Sequence, residues 1–215
     1  MKMPLNRLAL IVMFGLVGYM AWDYQHTLLA NKGRLKISQS QIVPGAVEFS
    51  WGHEIEVPME QRFIDGFNEW RDKTDHFVIS LHSPGGALRE GGKVIEIIKQ
   101  MKKTHKVDTY VGPRRACLSM CVPIFLQGQN RIAHPSSRWM FHEPSSVDFF
   151  TDKKLREPEF ERRAMVQRFV DRYFVNSPIN PKWRKKLLQA WKGKDVWRSG
   201  AQLVTEKSNI ITQLK

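Results

Sequence analysis

The sequence predicts an α/β fold with crossover connections, and three observations predict it. Short runs rich in β-branched and aromatic residues alternate with stretches whose apolar residues recur at helical spacing. No internal repeat or low-complexity run interrupts the alternation. The chain has 215 residues and is 42% hydrophobic, enough to bury one sizeable core.

The elements follow in order. Leu8 to Trp22 are fifteen residues without a charge, preceded by Lys2 and Arg7. Counted from Leu5 the stretch is 18 residues, about 27 Å as a helix, with Tyr19 and Trp22 placed as interfacial anchors. No small-x-small cleavage site follows. Residues 1–22 are therefore expected to form an uncleaved signal-anchor helix, with the positive N-terminus left in the cytoplasm. That predicts a single inner-membrane span with the domain in the periplasm. A cleaved signal, giving a secreted periplasmic protein, is the alternative. Residues 23–35 read as a polar linker, and 36–215 as the folded domain.

Within that domain, Leu35, Ile37, Val43, Val47 and Phe49 suggest short strands around the Pro44-Gly45 turn. "MEQRFIDGFNEW" places Met59, Phe63, Phe67 and Trp70 on one helical face. "HFVISL" is an apolar strand ending in "HSPGG". "GGKVIEIIKQMKK" is helical, with Val94, Ile97, Ile98 and Met101 in phase, and "VDTYVG" is the next strand. "NRIAHP" and "RWMFH" are two short strands. "EPEFERRAMVQRFVDRYF" and "PKWRKKLLQAW" are amphipathic helices.

The formal net charge is +13, and residues 153–215 hold 16 Lys/Arg against 6 Asp/Glu. A basic excess suits a solvated surface, an anionic membrane surface or nucleic acid. No nucleic-acid module or zinc-finger spacing is present, so nucleic acid is not an expected partner. The only two cysteines, Cys117 and Cys121, stand four apart around a strand-to-helix turn. That separation permits a disulfide, and it also suits two buried thiols acting as small apolar residues. No second ligand pair accompanies them, so no metal is expected, nor any cofactor.

Four short segments carry chemistry. "SPGG" (residues 83–86) ends a strand, and its glycines let backbone N–H groups approach a ligand. In "ACLSMC", Ser119 opens an apolar run after a strand, either as a helix N-cap or as a nucleophile beside free N–H groups. His142 closes the strand "RWMFH". Asp195 precedes "VWRSGAQL". Taken singly, each has an ordinary structural explanation.

In this order the segments resemble the Clp peptidase family of the crotonase-like superfamily. "ISLHSPGG" resembles its strand and glycine turn, "ACLSM" its nucleophile segment, "SSRWMFHEP" its histidine segment and "DVWRSGAQL" its aspartate segment. The resemblance spans roughly residues 43–211. It implies a crotonase-like ββα superhelix, the ClpP/crotonase fold, behind the N-terminal hydrophobic helix. It also implies a Ser119-His142-Asp195 triad, an oxyanion hole from the N–H groups of Gly86 and Met120, and a homo-oligomer assembled through "EFERRAMVQRFVDRYF". The expected activity is a serine hydrolase, a peptidase on peptide or protein substrates. Leu118 stands where the family has a small residue, and "SSVDFFTDKKLREPE" replaces its glycine-rich substrate strand. Both features favour the alternative, a non-catalytic peptide-binding or scaffold protein. Crotonase-like acyl-CoA chemistry would use the same oxyanion geometry.

Overall fold

In the computed structural model, residues 13–20, 33–145 and 158–215 are described. A helix, α1, is seen over residues 13–20, all exposed. Among the described residues, no helix is long and apolar enough to cross a membrane. The expected single span with an inner-membrane location is corrected accordingly. The remainder of that segment, 1–12 and 21–22, and most of the linker lie outside the described residues.

Two sheets organise the rest. The larger has six strands in the order β1-β2-β3-β4-β6-β9: Lys36–Gln39, Val47–Trp51, His76–Leu81, Lys106–Val111, Arg131–Ala133 and Gln213–Leu214. Only the β1–β2 pair is antiparallel; the other four pairs are parallel. Parallel neighbours need crossovers. Helix α2 (Met59–Trp70) joins β2 to β3, and α3 (Leu88–Met101) joins β3 to β4. As the spacing predicts, Met59, Phe63, Val94, Ile98 and Met101 are buried in the core with Phe49, Phe77 and Ile79.

The second sheet is small and holds the segments with chemistry. Its order is β5-β7-β8: Ala116–Leu118, Arg138–Phe141 and Val196–Ser199. Strand β5 runs parallel to β7, and β8 antiparallel to it. A short helix, α4 (Cys121–Phe125), leaves β5 directly.

Helix α5 (Glu159–Val170) continues into a π-helical turn, Asp171–Val175, and α6 (Pro181–Ala190) follows, capped by Asn180. The stripe expected along α5 divides in two. Phe169 and Phe174 are buried against Trp191, whereas Phe160 at the other end is 71% exposed. Helix α7 (Gly200–Thr205) opens on a capping box between Ser199 and Gln202.

Candidate active site

The site begins with strand pairing. Leu118 stands opposite Met140 in the parallel β5–β7 register, and the Ser119 N–H donates to the Met140 carbonyl at 2.9 Å. At Ser119 the backbone takes a left-handed φ of 52°, an uncommon conformation for a residue with a side chain. The chain thereby swings from β5 into α4, and the serine hydroxyl is left at the corner. An N-cap serine would accept a bond from the helix backbone, but α4 has Met120 at that position and no side-chain cap. The Ser119 hydroxyl instead meets His142, the first residue beyond β7, with Oγ and Nε2 2.7 Å apart. Both side chains are half-buried, so a small molecule can reach them.

A second segment is laced against this corner. The Ser83 N–H donates to the Ala116 carbonyl at 2.8 Å, and the Leu118 N–H to the Ser83 carbonyl at 3.0 Å. These bonds bring the glycine turn to the serine. Gly85 has φ of 102°, and a Cβ there would lie 2.7 Å from Ser119 Cβ and 3.2 Å from its Oγ. No side chain fits between them. Gly86 has φ of 140° and faces Ile55, whose backbone oxygen would be 2.4 Å from an added Cβ. The Ile55 N–H donates to the Gly85 carbonyl, and the Ala87 N–H to the Ile55 carbonyl, both at 2.7 Å. The peptide groups flanking Gly86 thus face Ile55, and its own N–H points the opposite way. Neither that N–H nor the one of Met120 donates to an acceptor among the described residues.

Asp195 comes next to the pair by way of β8. Phe141 is opposite Val196 in the antiparallel register, so the next pair along places His142 across from Asp195. The two residues line one cavity of about 160 Å³. Asp195 is exposed, and its carboxylate makes no hydrogen bond or ion pair among the described residues. The acid anchored in that wall is Glu143, which sequence reasoning missed. It takes a 2.7 Å bond from Arg162 and a 3.3 Å bond from the Gly193 N–H. The signal available was its place directly after His142.

Cys117 and Cys121 are joined in a disulfide across a Cα separation of 5.2 Å, and both are fully buried. The bridge therefore brackets Ser119 in the chain, tying β5 to the start of α4. Among the described residues no group of His, Cys, Asp and Glu could hold a metal ion.

A family model described as Clp protease matches residues 52–171, more than half of the chain. That span contains Gly85, Gly86, Ser119 and His142 and stops short of Asp195. Among solved structures the chain is similar to a ClpP1 mutant from Listeria monocytogenes, with a TM-score of 0.54 and 16% identity. The likeness covers 78% of this chain and 90% of that one. At that identity it bears on the fold alone: a mixed α/β architecture shared with that protein. No curated protein matches the chain by sequence.

Proposed function

The chain belongs to the Clp protease family, and from that premise we propose that it is a serine peptidase with Ser119 as nucleophile and His142 as general base. The observation that carries the reading is the 2.7 Å approach of His142 Nε2 to Ser119 Oγ at a left-handed corner. A neutral hydroxyl is a weak nucleophile, and an adjacent imidazole that accepts its proton makes it a competent one. In the proposed reaction Oγ bonds to the scissile carbonyl carbon while its proton passes to Nε2. The carbonyl oxygen becomes an oxyanion, received by the Gly86 and Met120 N–H groups. The imidazolium then protonates the leaving amine, and water, activated by the same imidazole, hydrolyses the acyl-enzyme.

Asp195 is proposed as the acid that holds the imidazole, acting through the cavity that it shares with His142. Assembly into a homo-oligomer is part of the same proposal. It is supported by the exposed Phe160 on α5, and light scattering of purified protein tests it, a monomer at micromolar concentration counting against it.

That the Asp195 carboxylate makes no hydrogen bond or ion pair among the described residues favours a second reading, a peptide-binding protein that does not cut. An uncharged fluorophosphonate probe separates the two. Covalent labelling of the wild type, abolished in Ser119→Ala, supports the peptidase. No labelling of either, with peptide binding retained in both, leaves the binding protein.

A further inference from the structure

The Asp195 carboxylate makes no hydrogen bond or ion pair among the described residues. Gly193, Lys194 and Asp195 are all exposed, so packing does little to fix them. The chain on either side must set where the acid stands. On the C-terminal side the β7–β8 ladder does so, because Val196 is paired opposite Phe141. On the N-terminal side the loop leaves α6 at Trp191, which is buried against Phe169 and Phe174. Between Trp191 and Val196 the loop needs a further hold.

Among the described residues, one side chain from elsewhere in the fold bonds to this loop. Glu143 Oε2 accepts from the Gly193 N–H at 3.3 Å, and the same oxygen accepts from Arg162 Nη1 at 2.7 Å. The ion pair to Arg162 on α5 keeps the carboxylate ionised and aimed, and an ionised acceptor makes the stronger hydrogen bond. The Glu143 side chain is only 17% exposed, so water competes little for that oxygen.

The sequence positions of these ties relate them to the chemistry. The segment from Gly193 to Val196 is held at one end by Phe141 and at the other by Glu143. Those are the residues immediately before and after His142. Asp195 is therefore referred to the same piece of backbone that carries the imidazole, and a shift of that backbone moves acid and base together. An orienting acid displaced by about 1 Å can cost up to about a hundredfold in rate.

We propose that Glu143 is a positioning residue, whose bond to the Gly193 N–H sets Asp195 against His142. This rests on the reading of Ser119, His142 and Asp195 as a triad, and it adds the group that completes their geometry. Glu143 acts through the loop and not through its charge on the imidazole.

The test compares full-length wild type, E143A, E143Q, D195N and E143A/D195N, with the fold of each checked by circular dichroism. Gln keeps an oxygen that can accept from Gly193 and removes the charge. E143A should lower kcat about tenfold with KM changed less than about twofold, and E143Q should recover to within about threefold of the wild type. In the D195N background E143A should cost less than about twofold more, because its effect passes through Asp195. A loss in E143Q equal to that in E143A would assign the effect to charge and overturn the proposal, as would losses that multiply in the double variant. Hydrogen exchange at the Gly193 amide keeps the two readings separable: it should be about tenfold faster in E143A than in the wild type or E143Q. Unchanged exchange overturns the tie whatever the activity. Faster exchange in E143A, with no fluorophosphonate labelling or hydrolysis by the wild type, overturns the peptidase reading while the tie stands.

Discussion

His142 Nε2 lies 2.7 Å from Ser119 Oγ because β5 and β7 are parallel neighbours with Leu118 opposite Met140. Both residues leave the same end of adjacent strands, and the left-handed turn at Ser119 directs its hydroxyl across the gap. In the proposed mechanism neither works without the other. Ser119→Ala and His142→Ala should each cut peptide hydrolysis by at least about a thousandfold, and the double variant by no more than either. Additive losses would mean that the two side chains act separately. Hydrolysis by the wild type should be lost at acid pH, where a protonated imidazole cannot accept the serine proton.

Asp195→Asn tests the acid. If Asp195 orients His142, the substitution should leave the melting temperature nearly unchanged, since the residue is exposed and its carboxylate has no partner among the described residues, and should lower kcat by about a hundredfold or more. A loss below about threefold would remove Asp195 from the proposed triad.

The disulfide should be detectable by thiol trapping. Cys117 and Cys121 should alkylate under denaturing conditions only after reductant is added. Closing so short a loop stabilises the native state by about 2 kcal/mol at most, so the reduced protein should stay folded. The corner that holds Ser119 would lose its brace, and fluorophosphonate labelling should slow. An unchanged labelling rate would show that strand pairing alone holds the serine.

Gly86→Ala should destabilise the protein by about 2–5 kcal/mol. An added Cβ would meet the Ile55 backbone at a left-handed φ, combining overpacking with backbone strain. Chemical denaturation measures this directly. A loss below about 1 kcal/mol would mean that the turn can rearrange, and with it the direction of the Gly86 N–H.

Lys102 gives a pH-dependent stability. Burial first, then the charges of Arg131 and Lys99, hold its pKa below the ordinary 10.5. The folded state thus binds this proton less tightly than the unfolded chain does. The cost is fully present below the folded pKa and is lost as pH rises towards 10.5. Lys102→Met should therefore compare better with the wild type near pH 7 than near pH 10.5, as read from paired thermal melts. A constant difference across that range would leave the lysine unstrained.

Much of the larger sheet is legible in sequence, because helical apolar spacing and compact strands report directly on burial. Met59, Phe63, Val94 and Ile98 fall in the core as their spacing predicts. Ser119 and His142 are legible as a pair only through the resemblance of their segments, since the bond between them depends on a strand register that no local pattern encodes. The limits are equally physical. Strand β8 occupies only Val196–Ser199, too short for alternation to show, so Asp195 too joins the candidate site only through the resemblance of its segment. Glu143 is tied by Arg162 and Gly193, partners that only the tertiary structure supplies. The N-terminal stretch shows the converse: a low-charge run invites a membrane assignment, yet none of the described helices has the length to span one.

The small sheet also has a bearing on biosynthesis. Strand β7 lies between β5, which precedes it closely in the chain, and β8, which is made more than fifty residues later. A nascent chain therefore passes through a stage at which Ser119 and His142 have both been synthesised while one edge of β7 is still bare. During that interval the segment carrying Asp195 does not yet exist, and the unpaired edge is open to wrong partners. Arrival of β8 covers the edge and delivers the acid in one event. In this architecture, protection from aggregation and completion of the proposed triad share a single moment of synthesis.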